Sequence, residues 1–564
     1  MRELIKDAKT KRKARLLLAV VALPVLAYFA FFFTFTLNVP YWDDYAVLAF
    51  VINFTNPEWP GKTALFFSQH NEHRIVTLRT LALGFRALSL EINWTIISFL
   101  GNLGLLGIVW ILWKWAGGSS GGLPLLRGLA FAPVVFILFQ PQHHELMLWA
   151  ICAFTNVGAA LFAFLSFSFL TRPEGTGIRP APLLTVALGA ALLSVFTNGN
   201  GLFVLPIGAA LLFAAKKFRP LAVWLGASAL TAGFYFLGYA RNPVHPEITP
   251  FLTNHPLEVL KYFLSVLGSA ADFGVLRPLV PIAAGAAILA VMSALAAKRL
   301  DRKDPFLASA LLFVVFSLAA QALTRAPLGV TQALESRYRL LSAMAVALAY
   351  LGWVRIARPG KKIAIAAIAL SIGFSASSFV VNRSSGREIR TRRLANLLEW
   401  NQGKAALPYP DPGQADSIMR LAVRRKIYEP PRRWNIDRPG YPFGGITTPD
   451  PAGGAAGTGN QPISGWALDD TGPPDIIVRR SALPSDSRAT IAQANQVAIG
   501  EVACREGTVK SIGRVYFGFP GRGQMIWDFT YGKGGTFPDD ARPTLYFFAR
   551  DRDGHETLLG ERRR

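Results

Sequence analysis

The chain alternates between long apolar segments and short polar connections. The first apolar segment runs from Leu16 to Pro40, and ten further segments lie between Ile92 and Val381. An α-helix rises about 1.5 Å per residue, so roughly 20 apolar residues cross the hydrocarbon core of a bilayer, which is about 30 Å thick. We therefore predict an α-helical polytopic membrane protein with about eleven transmembrane helices in residues 16–381.

The positions of Lys and Arg predict the orientation of these helices. Residues 1–15 are basic, and the short connections on the same side of an alternating path are basic too, for example at Lys216 and Lys217. Cytoplasmic connections carry such an excess. The bulky Phe31–Phe33 run stands where a small-residue cleavage site would follow, so we expect the first segment to remain as an anchor. The predicted location is a bacterial-type cytoplasmic (inner) membrane, with the N-terminus in the cytoplasm.

An odd number of crossings places the rest of the chain outside the cytoplasm. Residues 382–460 begin with a charged stretch, REIRTRRLANLLEW, that predicts a helix, and they continue as a Pro- and Gly-rich linker. In residues 461–564, short apolar runs such as ISGWAL, MIWDFTY and TLYFFAR are separated by turn residues. This pattern predicts a C-terminal extracytoplasmic β-sandwich domain.

Composition and charge exclude several classes of protein. With 52% hydrophobic and 17% charged residues and a mean hydropathy of +0.32, the chain suits neither a soluble protein, a disordered protein nor a small secreted fold. The net charge of +24 is expected of cytoplasmic anchoring residues and of attraction to lipid phosphate. The lipid bilayer is therefore a predicted partner, and nucleic acid is not implied. Two cysteines are too few for a disulfide framework.

The best candidates for chemistry lie in the first outer loop, residues 38–91. Asp43 and Asp44 are neighbours in PYWDDYAVLAFVINF, directly after the first apolar segment. Repulsion and partial burial are expected to raise the pKa of at least one of them, which suits a catalytic general base. The alternative is that one of the two caps the helix that follows.

A second group lies in the same loop, in SQHNEHRIVTLRTL, where we expect a surface helix to begin. Residues three and four apart share a helix face, so His70 and His73 are expected to lie side by side. A divalent cation is possible here, although a His-x-x-His pair alone is a weak metal signal. Its ligands would be Asp43, Asp44, His70 and His73. The candidates for substrate binding in this stretch are His70, Glu72, His73 and Arg74.

Two further outer connections, QPQHHELMLW and TRAPLGVTQALESRYRL, add polar residues. The guanidinium group of arginine is a planar donor fork that matches phosphate oxygens, so arginines at an outer membrane surface favour a phosphorylated lipid. The alternatives are solvated turn residues for the first connection, and salt bridges to Glu335 or interfacial snorkelling for the second. The candidate substrate-binding residues here are His143, His144, Glu145, Arg325, Arg337, Tyr338 and Arg339.

Two other outer segments are open to two interpretations each. The sequence Asn198-Gly-Asn-Gly favours a plain hairpin with left-handed backbone over the polar floor of a cavity. Residues 241–272 contain four X-Pro sequences and an apolar stretch, which is typical of a mobile lid or of a disordered loop.

Taken together, these features resemble the membrane glycosyltransferases of the GT-C superfamily, such as protein O-mannosyltransferases and bacterial aminoarabinose transferases. The resemblance covers Met1 to about Val381. Its specific part is Trp42-Asp43-Asp44 at the end of the first span, followed by an outer loop of surface helices. It implies that an acidic residue of this loop acts as a base or binds a metal, a role that falls to Asp43 or Asp44. It also implies a polyprenyl-phosphate-linked sugar as the donor.

The expected function is therefore a membrane glycosyltransferase. It would move a sugar from a polyprenyl-phosphate-linked donor to a hydroxyl of a glycan, lipid or protein acceptor on the extracytoplasmic face, with inversion. No cofactor is required by this scheme beyond the possible divalent cation. The alternatives are a multi-pass transporter or flippase and a non-enzymatic protein of envelope polysaccharide assembly.

Overall fold

The computed structural model describes residues 2–118, 124–172, 180–240, 248–401 and 407–431, together with eight strands between residues 443 and 563. The chain forms two compact units. The first unit is Met1–Arg390 with Arg424–Ile427, and the second is Thr391–Val423 with Tyr428–Arg564. All of the candidate site residues belong to the first unit.

The first unit is a bundle of helices built around a large apolar core. Helix α18 begins in the first unit and ends in the second, and α19 belongs to the second unit except for its last residue. The helices are α1 (Arg2–Phe35), α2 (Asp44–Phe54), α3 (Lys62–Phe67), α4 (Val76–Ala87), α5 (Trp94–Gly118), α6 (Pro124–Leu138), α7 (His144–Leu148), α8 (Ala150–Leu170), α9 (Pro180–Val195), α10 (Val204–Ala214), α11 (Phe218–Phe236), α12 (Ile248–Asn254), α13 (Pro256–Leu267), α14 (Leu279–Ala297), α15 (Leu300–Lys303), α16 (Pro305–Arg325), α17 (Arg339–Ala357), α18 (Lys361–Asn401) and α19 (Pro412–Arg424).

Six stretches among the described helices are long and apolar enough to cross a bilayer. They are Trp94–Ala116, Ala150–Leu170, Leu279–Ala297, Pro305–Leu328, Ser336–Ala357 and Lys361–Leu394. The helical, multi-pass membrane character predicted from the sequence is thus confirmed. Other predicted spans correspond to shorter apolar helices, such as Ala19–Phe35 and Ala181–Val195. The number eleven and the orientation of the bundle stay predictions.

Close helix packing fixes the elements around the site. A Cβ atom on Gly101 of α5 would lie 2.5 Å from the Ala153 backbone of α8, so these two helices approach as closely as a glycine allows. Gly285 of α14 meets the Leu264 backbone of α13 in the same way. Within the predicted lid, α13 is therefore a packed helix of the bundle, whereas the short helix α12 has no buried residue. Residues 241–247 of that segment lie outside the described residues.

The predicted boundary between the membrane part and the tail falls inside one helix. α18 continues without a break past residue 382 to Asn401, so the charged helix REIRTRRLANLLEW is its second half. Near residue 382 the residues of α18 change from apolar to charged. The helical backbone continues through this change, since no proline interrupts it.

The second unit contains two four-stranded antiparallel sheets. Their strand orders are β1-β2-β6-β5 and β4-β3-β7-β8. The strands are β1 (Phe443–Ile446), β2 (Ile463–Leu468), β3 (Asp475–Arg479), β4 (Thr490–Gln493), β5 (Gly500–Glu506), β6 (Gln524–Tyr531), β7 (Thr544–Arg550) and β8 (Glu556–Arg563). The runs ISGWAL, MIWDFTY and TLYFFAR form strands as predicted, and the packing of the sheets as a sandwich stays a prediction. Where the sequence predicted an irregular linker, the structure describes helix α19 and strand β1, and residues 402–406, 432–442 and 447–460 lie outside the described residues.

Candidate functional site

The two neighbouring carboxylates of the first loop have different surroundings. Trp42, just before them, has a left-handed backbone with φ of 47°. Asp44 is fully buried; its Oδ2 accepts a hydrogen bond from the Tyr41 N–H at 3.0 Å and its Oδ1 accepts one from the Ile151 N–H at 3.1 Å. Ile151 is the second residue of α8, where free backbone N–H groups attract a carboxylate. Asp44 thus caps α8 and ties the loop to it, although it was expected to cap its own helix or act as a base.

Asp43 is the accessible member of the pair. Its side chain is 35% exposed, Oδ2 accepts a hydrogen bond from Asn71 Nδ2 at 3.4 Å, and His70 Nε2 lies 3.8 Å away. Burial alone would raise the pKa of Asp43, but His70, Asn71 and the charge of Arg337 outweigh burial and lower that pKa. The expectation of a raised pKa is therefore wrong for Asp43. This carboxylate is ionised at neutral pH.

His70 and His73 lie on a tight turn, not on one face of a helix as predicted. They exchange two backbone hydrogen bonds, of 2.7 and 2.8 Å, around Asn71, which has φ of 49°. Helix α4 begins only at Val76. Asparagine tolerates this left-handed backbone. The tight turn reverses the chain direction at residues 70–73, before α4 begins.

The turn holds His73 against the connection between α9 and α10. The Gly199 N–H donates to His73 Nδ1 at 3.2 Å, and Glu72 Oε2 lies 4.0 Å from His73 Nε2. Burial, helped by the charges of His70 and Arg325, outweighs Glu72 and lowers the pKa of His73 to about 4. His73 is therefore neutral at pH 7. Gly199 begins a 3₁₀ turn in the short connection between α9 and α10, so the expected turn is present, but without the left-handed backbone that was predicted for it.

Arg74 has a structural role instead of the predicted phosphate contact. Its guanidinium donates to the carbonyl oxygens of Tyr235 at 2.6 Å and Leu237 at 2.5 Å, and also to that of Phe67. The residue is 6% exposed. Because its donors are bound to backbone carbonyls, Arg74 holds the end of α11 against the first loop.

Arg339 is occupied in the same way. It is 5% exposed and donates to Asp272 Oδ2 at 2.6 Å, to Gln142 Oε1 at 2.6 Å and to the Leu334 carbonyl at 2.7 Å. Breaking a buried ion pair of this kind is strongly unfavourable, since it leaves an uncompensated charge. The predicted phosphate contact is therefore corrected for Arg339 as well: this residue joins the start of α17 to the loop before α14.

Arg325 and Arg337 are the two accessible arginines of the predicted four. Arg325 is 25% exposed, with Nη2 3.9 Å from Glu72 Oε2. Arg337 is 26% exposed, pairs with Glu335, and lies over the ring of Trp149 at 5.7 Å and that of Tyr338 at 5.1 Å. Its buried Nε atom has no hydrogen-bond partner among the described residues. These two guanidinium groups keep donors that a phosphate can use.

The residues of the QPQHHELMLW connection separate into two environments. His143 is fully buried, with Nε2 3.2 Å from the Tyr28 hydroxyl in the core, and His144 Nδ1 donates to the Pro141 carbonyl at 3.2 Å. Glu145 donates its backbone N–H to Ser336 Oγ, and its charge acts on Arg337. Only Glu145 of the three predicted residues thus accompanies the accessible arginines.

We refer to the polar residues gathered at this end of the helices as the Asp43 cluster. It consists of Asp43, His70, Glu72, His73, Arg325 and Arg337. Among the described residues, no group of three His, Cys, Asp or Glu side chains is arranged to hold a metal ion. The predicted four-ligand cation site is not formed because Asp44 points to α8 and His73 Nδ1 is bound to Gly199.

No protein-family model, curated protein or solved structure matches this chain. The function is therefore indicated by the residues of the Asp43 cluster and the helices that carry them.

Sequence reasoning missed three residues that border the cluster. Trp149, which stacks under Arg337, lies in an apolar run without a distinctive pattern. Ser317 and Gln321 precede Arg325 at spacings of four residues, which places all three on one face of α16. That spacing was a usable signal, because polar residues rarely repeat along one face of an apolar span.

Proposed function

We propose that this protein is a membrane glycosyltransferase of the GT-C type. It transfers a sugar from a polyprenyl-phosphate-linked donor to an acceptor hydroxyl on the extracytoplasmic face. The observation that carries the proposal is a partly exposed, ionised carboxylate, Asp43, whose pKa is lowered in part by the charge of the partly exposed guanidinium of Arg337. A base and a phosphate-binding cation at one end of a membrane helix bundle are the two groups that this reaction needs.

The chemistry follows from these two groups. The acceptor hydroxyl donates a hydrogen bond to Asp43 and attacks the anomeric carbon while the bond from that carbon to the phosphate oxygen breaks. The proton passes to Asp43, and the electron pair leaves with the polyprenyl phosphate. Arg337 and Arg325 stabilise the negative charge of the departing phosphate. Because a phosphate leaves readily, an ionised carboxylate with a low pKa suffices as the base. One displacement inverts the anomeric configuration.

The membrane arrangement in the proposal is the one the sequence predicts. About eleven helices cross a bacterial-type inner membrane, the N-terminus is cytoplasmic, and the two sheets of the second unit pack as an extracytoplasmic β-sandwich. A lipid-linked donor suits this arrangement, since the lipid tail keeps the sugar phosphate at the membrane surface. The acceptor is a glycan, a lipid or a protein.

The test follows cleavage of the donor. The full-length protein is reconstituted in liposomes with a polyprenyl phosphate carrying a radiolabelled hexose and with solubilised bacterial envelope glycan as acceptor. Release of free polyprenyl phosphate is then measured. We expect release by the wild type and by Glu258→Gln, a change in an exposed residue of α13, and none by Asp43→Asn. Movement of the intact donor between leaflets without cleavage would contradict the proposal and favour a flippase. Binding with neither movement nor cleavage would favour an assembly protein.

A further inference from the structure

Helix α16 carries a row of polar side chains along one face. Ser317, Gln321 and Arg325 follow at intervals of four residues in a helix whose other residues are mostly apolar. Residues at this spacing lie one above the other. Polar groups inside an apolar bundle are costly unless they are paired, so such a row requires an explanation.

Asn200 faces the lower part of this row. Its Nδ2 donates to Ser317 Oγ at 3.3 Å. The Ser317 hydroxyl donates in turn to the Phe313 carbonyl at 2.8 Å, so Ser317 Oγ can only accept from Asn200. This fixes the orientation of the Asn200 amide and directs Oδ1 away from Ser317. The Oδ1 atom is buried and has no hydrogen-bond partner among the described residues.

Gln321, one turn above Ser317, carries the complementary group. Its Nε2 is also buried without a hydrogen-bond partner in the part of the chain that the structure describes. The neighbouring Tyr262 hydroxyl donates to Gln332 Oε1 at 3.2 Å, and its oxygen also interacts with the Gln321 side chain, without a hydrogen bond of normal geometry. A buried acceptor on Asn200 and a buried donor on Gln321 of α16 therefore both lack a hydrogen bond of normal geometry among the described residues. Leaving such groups unpaired destabilises a protein unless a ligand or a water molecule pairs with them.

The row leads directly to the Asp43 cluster. Its upper end, Arg325, lies 3.9 Å from Glu72. Asn200 follows Gly199, whose N–H binds His73. If the charged end of a ligand binds Arg325, the atoms next to that charged end lie beside Gln321 and Asn200.

We propose that Asn200 and Gln321 bind the sugar of the donor by hydrogen bonds to its hydroxyl groups. This inference rests on the proposed function and identifies the residues that select the sugar of the donor. A hydroxyl group both donates and accepts, so neighbouring hydroxyls on one ring satisfy Asn200 Oδ1 and Gln321 Nε2 together. A phosphate or carboxylate supplies acceptors only and would leave Asn200 Oδ1 unpaired. The ligand of this subsite is therefore a neutral polyhydroxylated ring, with the phosphate next to Arg325.

The test compares two kinds of probe on the detergent-purified full-length protein. One probe is decaprenyl phosphate, and the others are decaprenyl phosphates carrying mannose, glucose or galactose. Dissociation constants are measured for the wild type, Asn200→Leu and Gln321→Met, which replace each amide by an apolar group of similar size. Thr231→Val in α11 is the control, since among the described residues the Thr231 hydroxyl donates to the Ala227 carbonyl of its own helix.

We expect the wild type to bind one of the sugar-bearing probes more tightly than the bare lipid. Each amide substitution should reduce this preference about three- to tenfold, because one hydrogen bond is lost, while binding of the bare lipid stays unchanged. If Asn200→Leu does not fold, the dissociation constants of Gln321→Met alone test the inference. Gln321→Met keeps the hydrogen bond between Asn200 and Ser317.

Three results would overturn the inference, and they differ in what they mean for the function. If the wild type binds the bare lipid but gains nothing from any of the three sugars, the subsite holds only water and the proposed function survives. If both substitutions weaken binding of bare and sugar-bearing lipid equally, the row is structural. If the wild type binds no probe at all, the proposed function fails together with the subsite.

Discussion

Asp43 and Asp44 are adjacent and chemically identical, yet the structure gives them opposite roles, which makes them the sharpest test of the site. Asp44 is buried and binds two backbone N–H groups, one of them at the start of α8. Asp43 is 35% exposed and has only long contacts, at 3.4 and 3.8 Å. Replacing each by asparagine should therefore affect different properties of the protein.

The expected magnitudes follow from these contacts. An asparagine at position 44 presents an NH₂ group to one of the two N–H donors and loses the charge, so at least one charge-assisted hydrogen bond disappears. Such a bond contributes about 1.5–3 kcal/mol, and the unpaired N–H group adds to the loss. At position 43 the contacts resemble a surface ion pair, and their loss costs less than about 1 kcal/mol. Loss of a general base, in contrast, slows a reaction roughly 10²- to 10⁴-fold.

The assay measures thermal unfolding and donor cleavage on the same preparations. Asp44→Asn should lower the unfolding temperature by several degrees, with cleavage falling in proportion to the folded fraction. Asp43→Asn should unfold at the wild-type temperature and cleave at background level. The reasoning is refuted if Asp43→Asn destabilises the protein as much as Asp44→Asn does, or if Asp43→Asn retains full cleavage.

Three further predictions concern the rest of the cluster. Arg337→Gln should weaken binding of bare decaprenyl phosphate about tenfold or more, because charge-assisted hydrogen bonds to the phosphate are lost. The control Arg299→Gln, at an exposed position, should leave the dissociation constant unchanged. Gly199→Ala should reduce cleavage, since its Cβ would lie 2.6 Å from His73 Nδ1, whereas Gly189→Ala meets open space and should retain wild-type cleavage. The pKa of His73 is about 4, below its ordinary value of 6.5, so the unfolded chain binds more protons between these values. The unfolding temperature should therefore fall as the pH drops from 6.5 towards 4, and His73→Gln should make this fall smaller; an unchanged fall would contradict the role of His73.

Much of the helical architecture could be predicted because it depends on length and hydrophobicity alone. The long apolar runs of α5, α8, α14, α16, α17 and α18 are helices long enough to span a bilayer. Helix breaks were harder to predict. A charged composition after residue 382 indicated a new element, but charge does not terminate a helix, and α18 continues.

The site was predictable in its location and less so in the roles of its residues. The residues of the first loop and the arginines around residue 330 do meet, as their common side of the bundle implied. The sequence could not distinguish Asp43 from Asp44, because the partner of Asp44 is a backbone N–H group 107 residues away. Backbone groups leave no residue-specific signal in a sequence. For the same reason, the backbone carbonyl oxygens that accept hydrogen bonds from Arg74 could not be predicted from the sequence.

The distribution of hydrogen-bond partners separates the arginines that hold the fold from those that can bind a ligand. Arg74 and Arg339 donate to carbonyl oxygens or to the buried Asp272, and a phosphate could reach them only by breaking several bonds. Arg325 and Arg337 are instead paired with the partly exposed Glu72 and Glu335. An exposed carboxylate is readily replaced by a phosphate, because water can solvate the carboxylate that is released. The same exchange favours departure of the product, since each glutamate can return to its arginine when the lipid phosphate leaves.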